Sequence, residues 1–388
     1  MTVVNHEFKG GIVMASFRKR GKTWQYRIRV KDPYTNKMRE FTEAGFKTKG
    51  EAKQASLDRE RKIMNGMELG EIVFADFAQH WLDNHVKGKL RPNTYRTYRN
   101  ALEKHAIPYF GVITLRKLTP KKYQEFIDSL TEKNLSIESA RRVHNVCYQV
   151  FKRAIIYKYL VSNPAQDVHI RKNETTDLKF LDPSFLSSFY KQAYKRGQIY
   201  GLFFKCLFES GLRKGEAAAL QWSDIDWKEG TLNITETLDF QPEEGDPLLG
   251  PVKKLASKRI VKMRKSFMIE LQEHLKYQNQ RKLYLGDAYR HDLNLVFCRD
   301  DGTPLPKSTL YNAFKSCLEK VGAPVLPIHS TRHTHAVMLI EAGADMKYIQ
   351  ERLGHGSFAI TSDTYSHVSK TIEKRSIDKF EDYMQNLK

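Results

Sequence analysis

The 388-residue chain has few cysteines, no long apolar run and fewer acidic than basic residues. Its four cysteines lie far apart without Cys-x-x-Cys spacing, which argues against a disulfide framework or a cysteine zinc site and favours a reducing compartment. No stretch approaches the ~18 consecutive apolar residues of a membrane span. The N-terminus lacks a basic region followed by an apolar one. We therefore expect no membrane insertion and no secretion, and place the protein in the cytoplasm.

Acidic residues number 45 against 65 lysines and arginines, which gives a formal net charge of +20. Such a surplus most often serves a polyanionic partner, with nucleic acid the first candidate. Hydrophobic residues make up 40% of the chain, enough for ordinary cores and too many for a disordered basic tail. At about 100–200 residues per domain, the length indicates two to four domains. Charge alone does not distinguish an enzyme from a binding protein.

Nucleotide and metal motifs are also missing. The sequence contains neither GxxxxGK[ST] nor GxGxxG, the loops that hold phosphates of nucleotides. His329, His333 and His335 are close together without an HExxH, and such spacing is more typical of hydrogen bonding than of zinc. Asp300 and Asp301 precede a glycine but lack the other carboxylates of a calcium loop. We therefore predict no metal and no cofactor.

The first folded segment is predicted at residues 14–68, after a disordered leader at 1–13. Side chains alternate between apolar and polar over 24–31, the pattern of a half-buried strand. Residues 38–41 return as a partner strand, and Thr48 caps a following helix. We predict a small three-stranded sheet with one helix behind it. The cations assigned to its outer face are Arg18, Arg27, Arg29 and Lys31. They either contact DNA or form a solvated strand face.

The second segment, residues 72–170, is predicted to be all helical. Its periodic stretches are 76–85, 93–109, 120–132 and 136–160. Two of these helices carry cations interleaved with tyrosines, which favours contacts to phosphates over a merely solvated face. The candidate DNA contacts are Arg91, Arg96, Arg99, Arg141 and Lys152.

The third segment, residues 180–388, follows a polar linker at 171–179 and is mixed but mainly helical. Its predicted helices are 183–194, 199–209, 266–282, 307–321 and 331–341. Its predicted strands are 231–235, 259–263 and 295–297. The fold class is therefore multidomain α+β, with a small N-terminal sheet, an all-α bundle, and a mainly-α domain that holds a small antiparallel sheet.

Separated cationic motifs stand out in this third segment. Arg213 lies in Gly-Leu-Arg-Lys-Gly-Glu, a glycine-flanked turn before an apolar helix that also contains Glu216. His329 and Arg332 are spaced i,i+3 at the start of another helix, which makes them neighbours. His355 follows in Leu-Gly-His, and Tyr365 lies ten residues later. Each residue taken alone is also explained as a surface cation, a helix cap or a core aromatic.

Together and in this order, the motifs resemble the tyrosine recombinase family, the phage and transposon integrases. That family's catalytic set is Arg…Lys…His-x-x-Arg…His/Trp…Tyr. The resemblance assigns catalysis to Arg213, His329, Arg332, His355 and the nucleophile Tyr365, with Glu216 in support. It covers the chain from about Met14, which is itself an alternative start.

The catalytic lysine of such proteins lies in a β-hairpin ahead of Ser-x-Arg. Lys253 fits this place, before Ser257-Lys258-Arg259. Lys254 is adjacent and remains an alternative, because the family's small residue after the lysine is missing. An acidic insertion over 236–246 lengthens the hairpin.

The resemblance implies an arm-type DNA-binding domain at 14–68, a helical SAM-like core-binding domain at 72–170 and a catalytic domain at 180–388. It implies an integrase that cleaves and rejoins DNA at attachment sites through a 3′-phosphotyrosine, as a homotetramer with an accessory excision or bending protein at the bacterial nucleoid. A chromosome-dimer resolvase, a type IB topoisomerase and a catalytically silent DNA-binding protein of the same fold are the alternatives. The C-terminal residues 371–387 either pack on a neighbouring subunit or fold back on their own domain.

Overall fold

The computed structural model describes residues 3–8, 11–31, 38–64, 72–133, 135–170, 179–252, 257–354, 381 and 384–385. The chain divides into two compact units, Met1–Glu174 and Thr175–Lys388. Within the described residues, none of the helices is both long enough and apolar enough to cross a bilayer.

The first unit begins with an antiparallel sheet in the order β1-β2-β3-β4. Its elements are β1 (Val3–Phe8), β2 (Gly11–Arg20), β3 (Thr23–Lys31), β4 (Met38–Phe46) and the helix α1 (Lys49–Met64). The predicted three strands and helix are present. The leader is corrected, because residues 3–8 form a fourth strand that pairs with β2 from Val3↔Ser16 to Phe8↔Gly11.

Alternation along β3 explains this sheet. Tyr26 and Ile28 are fully buried, whereas Arg27 and Arg29 lie on the other face and are half exposed. Helix α1 begins after Thr48, whose Oγ1 accepts the Glu51 N–H at 3.1 Å, so the predicted cap is confirmed.

The rest of the first unit is helical, as predicted. Its α-helices are α2 (Phe74–Trp81), α3 (Pro92–Ala101), α4 (Ile107–Phe110), α5 (Pro120–Glu132) and α6 (Ile137–Ile156). π-Helical turns at Leu82–Val86 and Leu102–Ala106 extend α2 and join α3 to α4. Buried aromatic rings, among them Phe74, Phe110, Phe126 and Phe151, pack edge-on or tilted in the core.

The second unit is mainly helical with two small antiparallel sheets, β5-β6-β9 and β7-β8. Its strands are β5 (Ile225–Asp226), β6 (Thr231–Ile234), β7 (Glu236–Leu238), β8 (Leu249–Pro251) and β9 (Arg259–Lys262). Its α-helices are α7 (Leu186–Arg196), α8 (Gln198–Ser210), α9 (Lys214–Ala219), α10 (Lys265–Leu285), α11 (Lys307–Lys320), α12 (Ser330–Glu341) and α13 (Met346–Leu353).

The strand predicted over 295–297 is wrong. The segment makes an isolated bridge between Leu295 and Gln221 and belongs to no sheet. Its side chains are apolar because the segment is buried, and its backbone groups form hydrogen bonds outside any sheet. The Val296 N–H donates to the Leu220 carbonyl at 2.8 Å, and the Gln278 amide donates to the Val296 carbonyl at 2.9 Å.

Helix α8 runs through the core of this unit. Phe204 and Phe208 on α8 pack against Phe189 of α7 and Phe314 of α11, with ring centroids 5.3–6.3 Å apart. All four rings are fully buried. The C-terminal end of α8 is thereby fixed, and it carries the first of the cationic motifs.

Candidate active site

Arg213 lies where α8 turns into α9. Gly211 ends α8 in the left-handed conformation, with φ 69°, and Arg213 is the N-terminal cap residue of α9. A Cβ at Gly211 would lie 2.6 Å from His335 Cδ2 and 2.7 Å from Leu353 Cδ2. The turn therefore requires glycine both for its backbone angle and for the close approach of α12 and α13.

Glu216 binds both the side chain and the backbone N–H of Arg213. Its Oε1 accepts from Arg213 Nη1 at 2.7 Å, and its Oε2 accepts from the Arg213 N–H at 3.0 Å. Glu216 is 3% exposed, whereas the Arg213 side chain is 38% exposed. One edge of the Arg213 guanidinium is thus anchored while part of it faces solvent. The supporting role assigned to Glu216 stays a prediction, and this contact is the one that such a role would use.

Arg259 is a functional candidate that the sequence analysis did not select. Its Nη2 donates to Glu216 Oε2 at 2.9 Å, and its Nε donates to the Arg352 carbonyl at 2.7 Å. Its side chain is 6% exposed. Burial alone would raise the pKa of the Glu216 carboxyl, but Arg259 and Arg213 outweigh it and hold the pKa below its usual value. The available signal was the Ser-x-Arg after the lysines.

His329 and Arg332 begin α12, and the structure brings His329 close to the Arg213 cluster. The His329 side chain is exposed to solvent on one side, but many protein atoms lie around the rest of its ring. This desolvation, together with His333, Arg332 and Arg213, lowers the pKa of His329 to about 4. The imidazole is therefore neutral at pH 7 without DNA. His333 stands edge-on to it at 5.1 Å between ring centroids.

Arg332 is 1% exposed and ties three parts of the site together. Its Nη1 donates to the Gly211 carbonyl at 2.8 Å, and its Nη2 donates to the Leu353 carbonyl. Without DNA, this guanidinium joins the end of α8 to the end of α13 and offers little surface to a ligand. The catalytic role that the resemblance assigns to Arg332 would require its buried guanidinium to become accessible.

A second buried link runs through His335, which the sequence analysis left as a hydrogen-bonding histidine. Arg352 Nε donates to His335 Nε2 at 3.0 Å, so His335 Nδ1 carries the proton and donates to the Phe208 carbonyl at 2.8 Å. Burial and the neighbouring Arg352 lower the pKa of His335 to about 3. Gly354 then ends α13 in the left-handed conformation, directly before His355.

Other predicted site residues lie outside the described residues. These are Lys253, its alternative Lys254, His355 and the predicted nucleophile Tyr365. Of the C-terminal stretch 371–387, only 381, 384 and 385 are described. The structure thus brings together Arg213, Glu216 and His329, with Arg332 adjacent.

A carboxylate lies beside the cations on the predicted DNA-contacting face of the N-terminal sheet. Glu40 lies opposite Arg29 in the register and receives Arg27 Nε and Arg29 Nε, both at 3.0 Å. Arg18 is exposed on β2, and Lys31 ends β3. The three cations predicted in a row along β3 are therefore partly neutralised.

In the helical part of the first unit, the predicted DNA contacts differ in accessibility. Arg91 and Lys152 are exposed, whereas Arg99 and Arg141 are half-buried. Arg96 is 9% exposed, which leaves its guanidinium least available to a phosphate.

Three family models match the chain: an Arm DNA-binding domain over 16–63, a Phage integrase N-terminal SAM-like domain over 73–131, and the Phage integrase family over 179–371. The chain is 26% identical over 358 residues to a tyrosine recombinase XerC-like protein of Caldanaerobacter subterraneus subsp. tengcongensis, covering 87% of this chain and 90% of that protein. It is 27% identical over 294 residues to the ICEBs1 integrase of Bacillus subtilis, covering 76% and 79%.

Solved structures share the fold. The Tn1549 transposon integrase in complex with transposon right end DNA matches with a TM-score of 0.66 at 18% identity, covering 79% of this chain and 99% of that one. A λ integrase tetramer bound to a Holliday junction matches with a TM-score of 0.56 at 17% identity, covering 87% and 91%. The chain belongs to the phage integrase family of tyrosine-type site-specific recombinases, with its arm DNA-binding, SAM-like and catalytic domains.

Proposed function

We propose that this recombinase integrates and excises a mobile element by cleaving and rejoining DNA at attachment sites, with Tyr365 forming a 3′-phosphotyrosine. The observation that carries the proposal is the Arg213 guanidinium, held on one edge by buried Glu216, open to solvent, and close enough to His329 to lower its pKa. This arrangement suits a phosphodiester bound between fixed cations.

The arginines stabilise the charge that develops on the phosphate. Guanidinium groups present forked donors that match two phosphate oxygens, and they stay charged throughout the reaction. A preorganised donor of this kind contributes about 3–4 kcal/mol to the transition state, or 10²–10³ in rate. Arg213 is preorganised by Glu216. Arg332 is 1% exposed, so the groups that cover it have to move before a phosphate oxygen reaches its guanidinium.

His329 is the group that exchanges a proton with Tyr365. A neutral imidazole accepts the tyrosyl proton as the oxygen attacks phosphorus, and returns it when the DNA 5′-hydroxyl attacks in the reverse step. A phosphate bound at Arg213 adds a negative charge beside His329 and offsets the cations that lower its pKa. The pKa of His329 therefore rises when DNA binds, which makes the ring a better base.

Lys253 supplies the proton to the leaving 5′-oxygen, with Lys254 as the alternative, and His355 donates to the phosphate. A leaving group that needs no proton separates the two lysines. Replacing the bridging 5′-oxygen by sulfur should restore the cleavage rate of whichever variant, Lys253→Ala or Lys254→Ala, has lost the general acid. The other variant should cleave the two substrates in the same ratio as the wild type.

The assembly follows from the domains. We infer that the N-terminal sheet binds arm-type sites and the helical domain binds core-type sites, in a homotetramer like the λ integrase tetramer on its junction. We further infer an accessory excision or bending protein, and work at the bacterial nucleoid. The arm domain match at 16–63 favours an integrase over the chromosome-dimer resolvase that the XerC-like relative would suggest.

The test uses DNA from beside the gene, nicked near the crossover, without divalent metal. Wild type should give a covalent protein–DNA band on a denaturing gel, and Tyr365→Phe should give none. Tyr311→Phe, a half-exposed tyrosine on α11, is the matched control and should react like wild type. Specific binding of this DNA without a covalent band would contradict the proposal and favour the catalytically silent DNA-binding protein.

A further inference from the structure

A second cation lies beside the Arg213 cluster and has no role in the proposed chemistry. Lys214 is the first residue of α9, and its side chain is half-buried. Its Nζ lies 4.5 Å from the centroid of the Phe240 ring, just after β7. A lysine ammonium over the face of an aromatic ring is attracted by the ring's quadrupole, so Phe240 holds Lys214 in one direction.

The base of this side chain is fixed as well. Gly215 packs so closely on β7 that a Cβ there would lie 2.5 Å from Thr237 Oγ1 and 3.4 Å from the Leu238 carbonyl oxygen. Helix α9 therefore cannot slide along the hairpin, and Lys214 is held at its backbone by β7 and at its tip by Phe240.

The charge that acts on Lys214 comes from another lysine and not from a carboxylate. Burial, followed by the charge of Lys307 at the start of α11, lowers the pKa of Lys214. Within the described part of the chain, neither lysine lies within ion-pair distance of an acid, whereas Lys205, Lys276 and Lys315 each do. Two nearby positive charges repel each other, and an anion bound between them offsets this repulsion.

Two carboxylates of the same hairpin loop accept hydrogen bonds from backbone N–H groups of that loop. Asp239 Oδ1 accepts from the Gln241 N–H at 3.1 Å, and Asp246 Oδ2 accepts from the Glu243 N–H at 3.3 Å. Neither carboxylate lies within ion-pair distance of Lys214. The described surroundings leave its charge for a ligand.

We propose that Lys214, braced on Phe240, and Lys307 form a phosphate clamp that binds the DNA backbone at a phosphate next to the scissile one. The proposal rests on the proposed function, since it places the scissile phosphate at Arg213. Consecutive residues at the start of a helix do not face each other, so Arg213 and Lys214 reach different phosphates. The clamp holds the strand in register while Arg213 and Tyr365 act on its neighbour.

The experiment is a double-mutant cycle between protein and DNA. The substrate is the nicked duplex on which wild type forms its covalent adduct, with one methylphosphonate, which is uncharged, at each of the phosphates flanking the scissile one in turn. For wild type, the uncharged group should slow adduct formation about tenfold at one flanking position, as expected for a charged hydrogen bond. For Lys214→Met, the same substitution should slow adduct formation clearly less than it does in the wild type, because only the Lys307 contact is left to lose.

Salt dependence gives a second readout that a structural role would not change. Losing one phosphate contact should reduce the slope of log K against log[salt] by about 0.9. The double variant Lys214→Met/Lys307→Gln should show this loss on the unmodified duplex and each single variant should show part of it. None of the three should show it on the duplex that is uncharged at the coupled position. Lys214→Arg keeps the charge and should retain most of the coupling.

Lys315→Gln is the matched control, because it removes a charge from α11 that Glu319 already pairs at 3.7 Å. It should keep the wild-type coupling. The clamp would be overturned if the losses from the lysine substitution and from the methylphosphonate were additive at every flanking position. It would also be overturned if Lys214 and Lys307 coupled to different phosphates. In either case, cleavage by the wild type would leave the proposed function standing. Failure of wild type to form the adduct would overturn both.

Discussion

The N-terminal sheet and the recess formed around Arg213, Glu216 and Arg259 each contain a glutamate that is shared by two arginines. On the sheet, Glu40 receives Arg27 and Arg29, and all three side chains are 40–55% exposed. In the recess, Glu216 receives Arg213 and Arg259, and the glutamate is 3% exposed. The connection is the same, but the surroundings differ.

Exposure to solvent determines how much each arrangement contributes to the free energy of unfolding. Exposed ion pairs are screened and contribute about 0–1 kcal/mol, so the sheet arginines can exchange Glu40 for another anionic partner at little cost. In the recess, removing one member of the buried pair is costly, because the other charge then stays buried without a partner. The exposed arrangement can therefore exchange its partners readily, whereas the buried one is held in place.

Removing Glu216 gives the largest expected effect. Glu216→Gln leaves Arg259 buried without a counter-charge, which costs about 3–5 kcal/mol, and it frees Arg213 from its anchor. We expect unfolding at lower denaturant and a drop of at least about 10² in covalent adduct formation. Denaturant titration and single-turnover cleavage measure the two effects.

Glu209→Gln is the matched control for this change. Glu209 pairs with Arg264 at 2.6 Å, but the Arg264 side chain is 68% exposed and remains solvated when the partner is lost. The loss should stay near 1 kcal/mol with cleavage unchanged. Equal losses from the two variants would remove burial as the explanation of the comparison.

Gly211→Ala tests how tightly the recess is packed. Alanine at φ 69° costs about 1 kcal/mol in any turn, and its Cβ would also meet His335 and Leu353 at less than 3 Å. We expect a total loss of about 2–4 kcal/mol, with reduced cleavage because the Gly211 carbonyl binds Arg332. Gly322→Ala, at φ 70° with open space, should lose only the backbone contribution.

The buried His335 should make the catalytic unit acid-sensitive. Folded His335 binds a proton only below about pH 3, whereas in the unfolded chain it does so below about pH 6.5. The unfolded state therefore binds more protons in this range, and the free energy of unfolding falls by up to about 4 kcal/mol as pH drops from 6.5 to 3.

His335→Gln keeps a neutral donor and acceptor, so its stability should fall less steeply over the same range in urea titrations. His291→Gln removes an exposed histidine and should keep the wild-type slope. A wild-type slope in His335→Gln would contradict the assignment of the acid sensitivity to this ring.

The sequence predicted most of the architecture, because patterning and caps are local signals. Residues 120–132 were predicted to be a helix and form α5 over the same residues, with the Thr119 hydroxyl accepting the Lys122 N–H at 3.3 Å. The strand at 295–297 failed since an apolar run does not distinguish a strand from a buried loop. The strand at 3–8 was not predicted, because it is stabilised by pairing with β2, and pairing is not a local property of the sequence.

In the candidate site, residue types were predictable and partners were not. Arg213 and Glu216 are three residues apart on one helix start, so their contact follows from spacing. Arg259 reaches Glu216 from β9, 43 positions away, and Arg332 turns to the carbonyls of Gly211 and Leu353. Such links depend on how α8, α9, α12 and β9 pack, which one sequence does not show.

The smallest expected effect on stability is at Glu40. Glu40→Gln should change the free energy of unfolding by less than about 1 kcal/mol, because the pair is exposed. It adds a net positive charge to the sheet, so affinity for any duplex should rise and depend more steeply on salt. It also releases Arg27 and Arg29 from a fixed direction. Discrimination between the arm-site duplex that wild type protects and a scrambled duplex should therefore fall about fivefold, or ~1 kcal/mol.

Asp58→Asn makes the same charge change on α1 of the same domain, where Asp58 lies 3.8 Å from Arg61. Competition binding at two salt concentrations should show its discrimination unchanged. If Glu40→Gln raised affinity for both duplexes equally, Glu40 would contribute only its charge. The sheet arginines would then be oriented by their contacts with DNA and not by Glu40. If discrimination falls, the exposed glutamate orients its arginines as Glu216 does, but through a contact weak enough to be exchanged for DNA.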